Sequence, residues 1–253
     1  MKGGNMKYFI GFVCITFGIA SFASAETVTF GSSSKQENGE TLMLTGKIRK
    51  PSGDGPFAAI VLMHGCTGVN ANNIKWAKKF VNWGYVTLQV YSLRSRGSGS
   101  ICKLSYEELG LWLFKRAPDA HDAKSYLAEQ PYVDKNRIAV IGWSHGAGSI
   151  LKSIDAEYSD NRGNPFGAAI AFYPYCYFSL ENIKSPLLIL IGEGDNICPA
   201  ELCKLIMATK PTKPEAILKI YPNAGHGFDY SSVYLDEAAD ADVQVESFLK
   251  KPM

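Results

Sequence analysis

Apolar residues along this chain fall into short runs separated by polar stretches that carry glycine and proline. Residues 58–63, 85–90, 138–141, 168–172, 186–191 and 216–220 are mostly apolar runs of the kind that strands show when both sheet faces are covered. Residues 41–48 predict an opening strand ahead of them. Between the runs the spacing becomes helical, over residues 74–83, a long segment ending near Glu129, the stretch after Gly146, and residues 200–209 and 233–250. Strands and helices alternate, which predicts an α/β fold with a mostly parallel central sheet and helices on both faces. The stretch between residues 172 and 186 is too short for a crossover helix and leaves no room for a large lid, a feature that favours small soluble substrates. No internal repeat or low-complexity segment interrupts the pattern.

The N-terminus has a different pattern. Lys2 and Lys7 precede an apolar run over residues 8–22 that ends in Ala23-Ser24-Ala25, the layout of a secretory signal peptide cleaved after Ala25. The run is short for a membrane span, so no stable anchor is expected after cleavage, and the expected location is periplasmic or extracellular. Residues 26–253 then suffice for one sizeable core and are too few for a second domain. Loss of the two lysines brings the basic count from 26 to 24, equal to the acidic count. With no basic run interleaved with aromatics, nucleic acid is not an expected partner.

Candidate chemistry begins at residues 138–148, where a strand-type run feeds Gly142-Trp143-Ser144-His145-Gly146 and then a helix-compatible segment. This Gly-x-Ser-x-Gly turn predicts a strained strand-to-helix elbow that lifts the Ser144 hydroxyl out of the sheet, with glycines where side chains would collide. A serine needs a general base and an acid that fixes the base's tautomer. Of the four histidines, His226 lies on a glycine-flanked loop after the strand at 216–220 and is the candidate base. His64 ends a strand and is expected to hold a loop locally; His121 is expected on a solvated helix face. Asp195, just past the run at 186–191, is the candidate acid, ahead of Glu193 and of Asp229, which lies very near His226 in sequence. The N–H groups of Cys66 and His145 are the candidate oxyanion donors. No metal or organic cofactor is called for.

With these residues in place, the chain resembles the dienelactone hydrolase family of α/β-hydrolases, particularly its exported members. The resemblance runs from about residue 40 to the end, through Val61-Leu62-Met63-His64-Gly65-Cys66, Gly84-Tyr85-Val86, the stretch from Val133 to Gly146, Ala171-Phe172-Tyr173-Pro174, Leu190-Ile191-Gly192-Glu193 with Asp195, and Ala224-Gly225-His226-Gly227-Phe228. It implies a single-domain α/β-hydrolase acting on a small-molecule ester or lactone. The family's founding enzymes open an enol-lactone with a cysteine where this chain has Ser144, so the serine departs from that substrate and leaves general ester or lactone hydrolysis. Related enzymes hold a substrate carboxylate with an arginine near the loop 91–97, which points to Tyr91, Arg94 and Arg96 as substrate-binding residues. A peptidase or amidase of the same fold and a non-catalytic binding protein on this scaffold are the alternatives; activity toward amides, or none at all, discriminates them. Tyr173, Tyr175, Tyr177 and Phe178 are either an aromatic wall or core.

Five cysteines remain after cleavage at Ala25. An oxidising compartment permits disulfides, with Cys66–Cys102 and Cys176–Cys203 as the expected pairs and Cys198 free, or exchanged with Cys203. Oligomeric state is not legible.

Overall fold

A computed structural model describes residues 25–36 and 38–251; the expected signal peptide of residues 1–25 lies, but for Ala25, outside the described residues. Eight strands form one sheet in the order β1-β2-β4-β3-β5-β6-β7-β8. They are β1 (Glu26–Lys35), β2 (Thr41–Arg49), β3 (Phe57–Met63), β4 (Val86–Val90), β5 (Val133–Trp143), β6 (Ala169–Phe172), β7 (Leu187–Gly192) and β8 (Ala216–Tyr221). The pairs β1–β2 and β2–β4 are antiparallel, and every later neighbour is parallel. The expected α/β architecture is thus present, in the form of a mostly parallel sheet.

The apolar runs form strands because both their faces are covered. Residues 59–63 and 138–142 lie side by side in register with scarcely any exposed surface. The helices are α1 (Ala71–Asn82), α2 (Tyr106–Ala128), α3 (His145–Ser153), α4 (Ala156–Ser159), α5 (Ala200–Met207) and α6 (Leu235–Leu249). An ion pair between Lys79 and Asp242 joins α1 to α6, whereas α2 and α3 pack together on the sheet. Alternation along β5 sorts the two layers: Gly142 meets Ile150 of α3, while Trp143 meets Trp76 of α1. No helix among the described residues is long and apolar enough to cross a membrane.

Two sequence expectations change here. Strand β1 is not among the predicted elements; only Val28 and Phe30 are apolar and buried along its outer, antiparallel edge, too few to stand out as a run. His121 is not solvated. It is 2 % exposed, its Nε2–H donates to the Ser153 carbonyl at 2.7 Å, and its ring lies 5.0 Å from Phe166. The polar residues of this part of α2 meet protein partners: Asp119 meets Arg96, Asp122 meets Ser32 and Ser33 of β1, and Lys124 meets the Asn164 carbonyl, so their polarity marks contacts within the protein instead of exposure.

Because β3 through β8 run parallel, their C-terminal ends share one edge of the sheet, and the loops that follow meet there. The candidate residues converge on that edge.

Candidate active site

Strand β5 ends at Trp143, and Ser144 turns the chain into α3 with φ 53° and ψ −121°. A serine in this positive-φ conformation is strained and is held by its surroundings. Its N–H donates to Phe172 O at 2.9 Å. A Cβ on Gly142 would stand 2.7 Å from the Gly146 carbonyl carbon, and one on Gly146 would run into the carbonyl oxygens of Met63 and His64. The two glycines let β3, β5 and the start of α3 close on one another, which fixes the direction of the serine side chain.

The Ser144 hydroxyl lies 3.0 Å from His226 Nε2, and His226 Nδ1 lies 2.7 Å from Asp195 Oδ2. The carboxylate accepts a hydrogen bond from Nδ1–H, so Nε2 carries the lone pair and accepts a hydrogen bond from the serine hydroxyl. Asp195 Oδ1 accepts from the N–H groups of Ile197 and Cys198 at 2.9 and 2.8 Å. This turn fixes the carboxylate, which is almost fully buried. The loops bearing Asp195 and His226 are joined directly: Gly194 N–H donates to Ala224 O at 2.9 Å, and a Cβ on Gly192 would collide with that same carbonyl. Glu193, in contrast, is exposed, 3.9 Å from Lys204.

Asp229 plays a different part from that of a rival acid. It is 3 % exposed and accepts four side-chain hydrogen bonds: Asn72 Nδ2 at 2.8 Å, Trp76 Nε1 at 2.8 Å and Trp143 Nε1 at 2.9 Å on Oδ2, with Tyr173 Oη at 2.7 Å on Oδ1. Four donors replace the lost water around this buried charge. They come from α1, the end of β5 and the loop after β6, so Asp229 ties these segments to the loop of His226.

The neighbouring loop carries Gly65 and Cys66. His64 Nδ1–H donates to Gly65 O at 2.7 Å, and Gly68 N–H reaches the same oxygen at 3.3 Å. In a trans peptide the N–H points opposite to the C=O, so holding Gly65 O aims the Cys66 N–H the other way. His145 opens α3, where an N–H has no carbonyl one turn earlier in the helix. Burial, then the charge of Arg116, holds His145 down to about 3, and burial also lowers His64, so both rings are neutral at pH 7.

Both expected disulfides are present. Cys66–Cys102 links the loops after β3 and β4, and Cys176–Cys203 links the loop after β6 to α5, leaving Cys198 free and buried. Burial and Asp195 push the Cys198 thiol well above its ordinary range.

A cavity of about 580 Å³ opens beside the Gly65 loop, lined by His64, Thr67, Tyr91, Leu93 and Arg94 among others. Between two of these lining residues, His64 and Thr67, the chain passes close to the serine: a Cβ on Gly65 would lie 3.6 Å from Ser144 Cβ. Arg94 is exposed on its wall. Arg96 is not available there: its guanidinium forks onto Asp119 at 2.7 and 2.8 Å and also donates to the carbonyls of Ser92 and Lys115. This corrects the expectation that either arginine is free to meet a ligand. Tyr173 and Tyr175 are buried, whereas Tyr177 is exposed, so the aromatic segment is mainly core.

The sheet order, the elbow and the loops at its edge define the α/β-hydrolase fold. Within it the chain belongs to the dienelactone hydrolase family, whose model matches residues 44–251, and it is a hydrolase. A protein of Saccharolobus solfataricus named "Putative carboxymethylenebutenolidase" is 26% identical over 234 residues, covering 78% of this chain and 91% of the relative. A structure titled as a putative dienelactone hydrolase from Klebsiella pneumoniae is 18% identical with a TM-score of 0.69, covering 89% of this chain and 99% of its own. An esterase from Pyrococcus furiosus is 19% identical with a TM-score of 0.69, covering 91% and 94%.

Proposed function

We propose that this protein is an exported serine hydrolase that cleaves carboxylic esters or lactones of small soluble substrates through an acyl-enzyme. The observation that carries this reading is the unbroken relay from Asp195 through His226 to the Ser144 hydroxyl. His226 Nε2 takes the hydroxyl proton as Ser144 Oγ bonds to the substrate carbonyl carbon. The carbonyl electrons move onto its oxygen, which the N–H groups of Cys66 and His145 receive. Collapse expels the alcohol, protonated by His226, and leaves the acyl group on Ser144. Water, deprotonated by His226, then attacks the acyl carbon; the second tetrahedral species releases the acid and returns the proton to Ser144. Asp195 holds the imidazole in the required tautomer and offsets its charge when protonated. Tyr91 and Arg94 line the side where the substrate's remainder lies.

Export rests on the N-terminal pattern, with residues 1–25 removed and 26–253 forming the mature domain, and two disulfides accord with an oxidising compartment. The test is hydrolysis of a short-chain chromogenic ester by mature protein beside Ser144→Ala, with mass spectrometry after a fluorophosphonate probe. Turnover and one adduct on Ser144, both lost in the variant, are expected. A folded wild type with neither overturns the proposal.

A further inference from the structure

Arg116 lies in the middle of α2 and is completely buried. Its Nη2 donates to the His64 carbonyl at 2.6 Å, and its Nη1 lies 2.9 Å from His145 Nδ1. On the far side of that ring, His145 Nε2 lies 3.0 Å from Leu109 O. A carbonyl only accepts, so Nε2 bears the proton and Nδ1 takes its hydrogen from Arg116. One guanidinium thus grips both segments that carry the proposed oxyanion donors. It holds His64, whose ring orients the Gly65–Cys66 peptide, and it holds His145, whose own N–H is the other donor.

The charge of Arg116 is largely uncancelled where it meets these groups. Both are neutral, and the nearby carboxylate of Asp119 is already forked by Arg96. Its Nε has no hydrogen-bond partner among the described residues. Burial draws the guanidinium down to about 9, which leaves it protonated at pH 7. Burying an incompletely paired cation is costly, and an apolar side chain would pack the same space without that cost. The place where such a charge gives something back is beside a negative charge that forms transiently in a water-poor setting.

We propose that Arg116 is a positioning residue for the oxyanion site: it pins the segments bearing the Cys66 and His145 N–H groups and lends its buried positive charge to the oxyanion they receive. The proposal rests on the serine-hydrolase reading above. It predicts that Arg116 acts on the tetrahedral state and scarcely on the bound ester.

The experiment compares wild type, Arg116→Met and Arg116→Lys in ester hydrolysis and in inhibition by phenylboronic acid, which forms a tetrahedral adduct on a reactive serine. Arg116→Met is expected to lower kcat about ten- to a hundredfold, with KM within about twofold, and to weaken the boronic acid by a similar factor. Arg116→Lys keeps the charge but replaces the two-pronged guanidinium with a single ammonium, and it recovers part of both. A folded Arg116→Met with wild-type kcat and boronate affinity overturns the proposal while leaving the hydrolase reading intact. A wild type that neither turns over ester nor binds the boronic acid overturns the hydrolase reading, and this inference with it. If neither variant folds, NMR of the wild type decides: the Arg116 guanidinium and His145 ring resonances shift when the boronate adduct forms, and their failure to move overturns the proposal.

Discussion

The Tyr173 hydroxyl donates to Asp229 at 2.7 Å while its ring stands 4.6 Å from that of His226. Tyr173 is held at φ 40°, one of two non-glycine residues with positive φ among the described residues, the other being Ser144. Asp229 therefore secures a strained residue against the proposed base and also holds Trp143, the neighbour of Ser144. Asp229→Ala would leave four buried donors without their acceptor, each costing about 1–3 kcal/mol if nothing relaxes. A loss of at least about 3 kcal/mol is expected in urea unfolding, against about 1 kcal/mol for Tyr173→Phe. The double variant should lose less than the sum. Two single losses below about 0.5 kcal/mol, the level of ordinary surface substitutions, would show that the knot holds nothing.

Three of the four histidines are buried and resist protonation. His121 is drawn down to about 4 chiefly by burial, His145 to about 3, and His64 well below its usual value. Each binds its proton more readily in the unfolded chain, so stability rises with pH through this range and falls as pH drops below about 6.5. For His121 the loss is complete near pH 4 and amounts to roughly 3 kcal/mol. Urea midpoints between pH 7 and pH 4 should thus fall steeply. His121→Gln should flatten the dependence by about one proton's worth; an unchanged slope would mean that His121 titrates normally in the folded state.

The cysteines give a chemical test. Cys66–Cys102 spans a sequence separation of 36 and Cys176–Cys203 one of 27, so removing either should cost about 3–4 kcal/mol on the loop-entropy account. Replacing both Cys66 and Cys102 by serine should also slow ester turnover more than replacing the other pair, because the first bridge anchors the loop with the proposed donor. Thiol titration of unfolded, unreduced mature protein should find one group, Cys198. In the folded protein that thiol should react slowly with iodoacetamide, since it is buried and its ionisation is suppressed. Five thiols after unfolding would refute the pairing.

Ser144, Asp195 and His226 are legible in the sequence because each follows a strand-type run, so local pattern and chain order suffice. The bond partners of Asp229 are not: Trp76 and Asn72 stand 153 and 157 residues away, and no local period encodes such a meeting. Arg116 leaves a fainter trace. It falls on the same helical stripe as Leu113, Ala117 and Ala120, where an apolar residue is the rule, and a charge in that position marks a buried polar role. Strand β1 is hard to see because an antiparallel edge strand needs few apolar residues, and the burial of His121 because a polar helix face looks the same whether water or protein satisfies it.

The two loop arginines should separate cleanly. Arg94 stands exposed on the cavity wall and makes no ion pair among the described residues, whereas Arg96 is forked onto a fully buried Asp119. A charge-assisted hydrogen bond from Arg94 to a substrate carboxylate is worth about 1.5–3 kcal/mol, so Arg94→Ala should lower kcat/KM for carboxylate-bearing esters roughly ten- to a hundredfold. Neutral esters of the same size should be little affected, as no charge is there to lose. Arg96→Ala should instead unfold the protein more easily, by about 3–5 kcal/mol, because it strands the Asp119 carboxylate in the interior, and it should treat the two ester classes alike. The decisive quantity is the ratio of kcat/KM on paired acidic and neutral esters. If Arg94→Ala leaves that ratio unchanged, the cavity wall does not read charge, and substrate choice lies in shape alone.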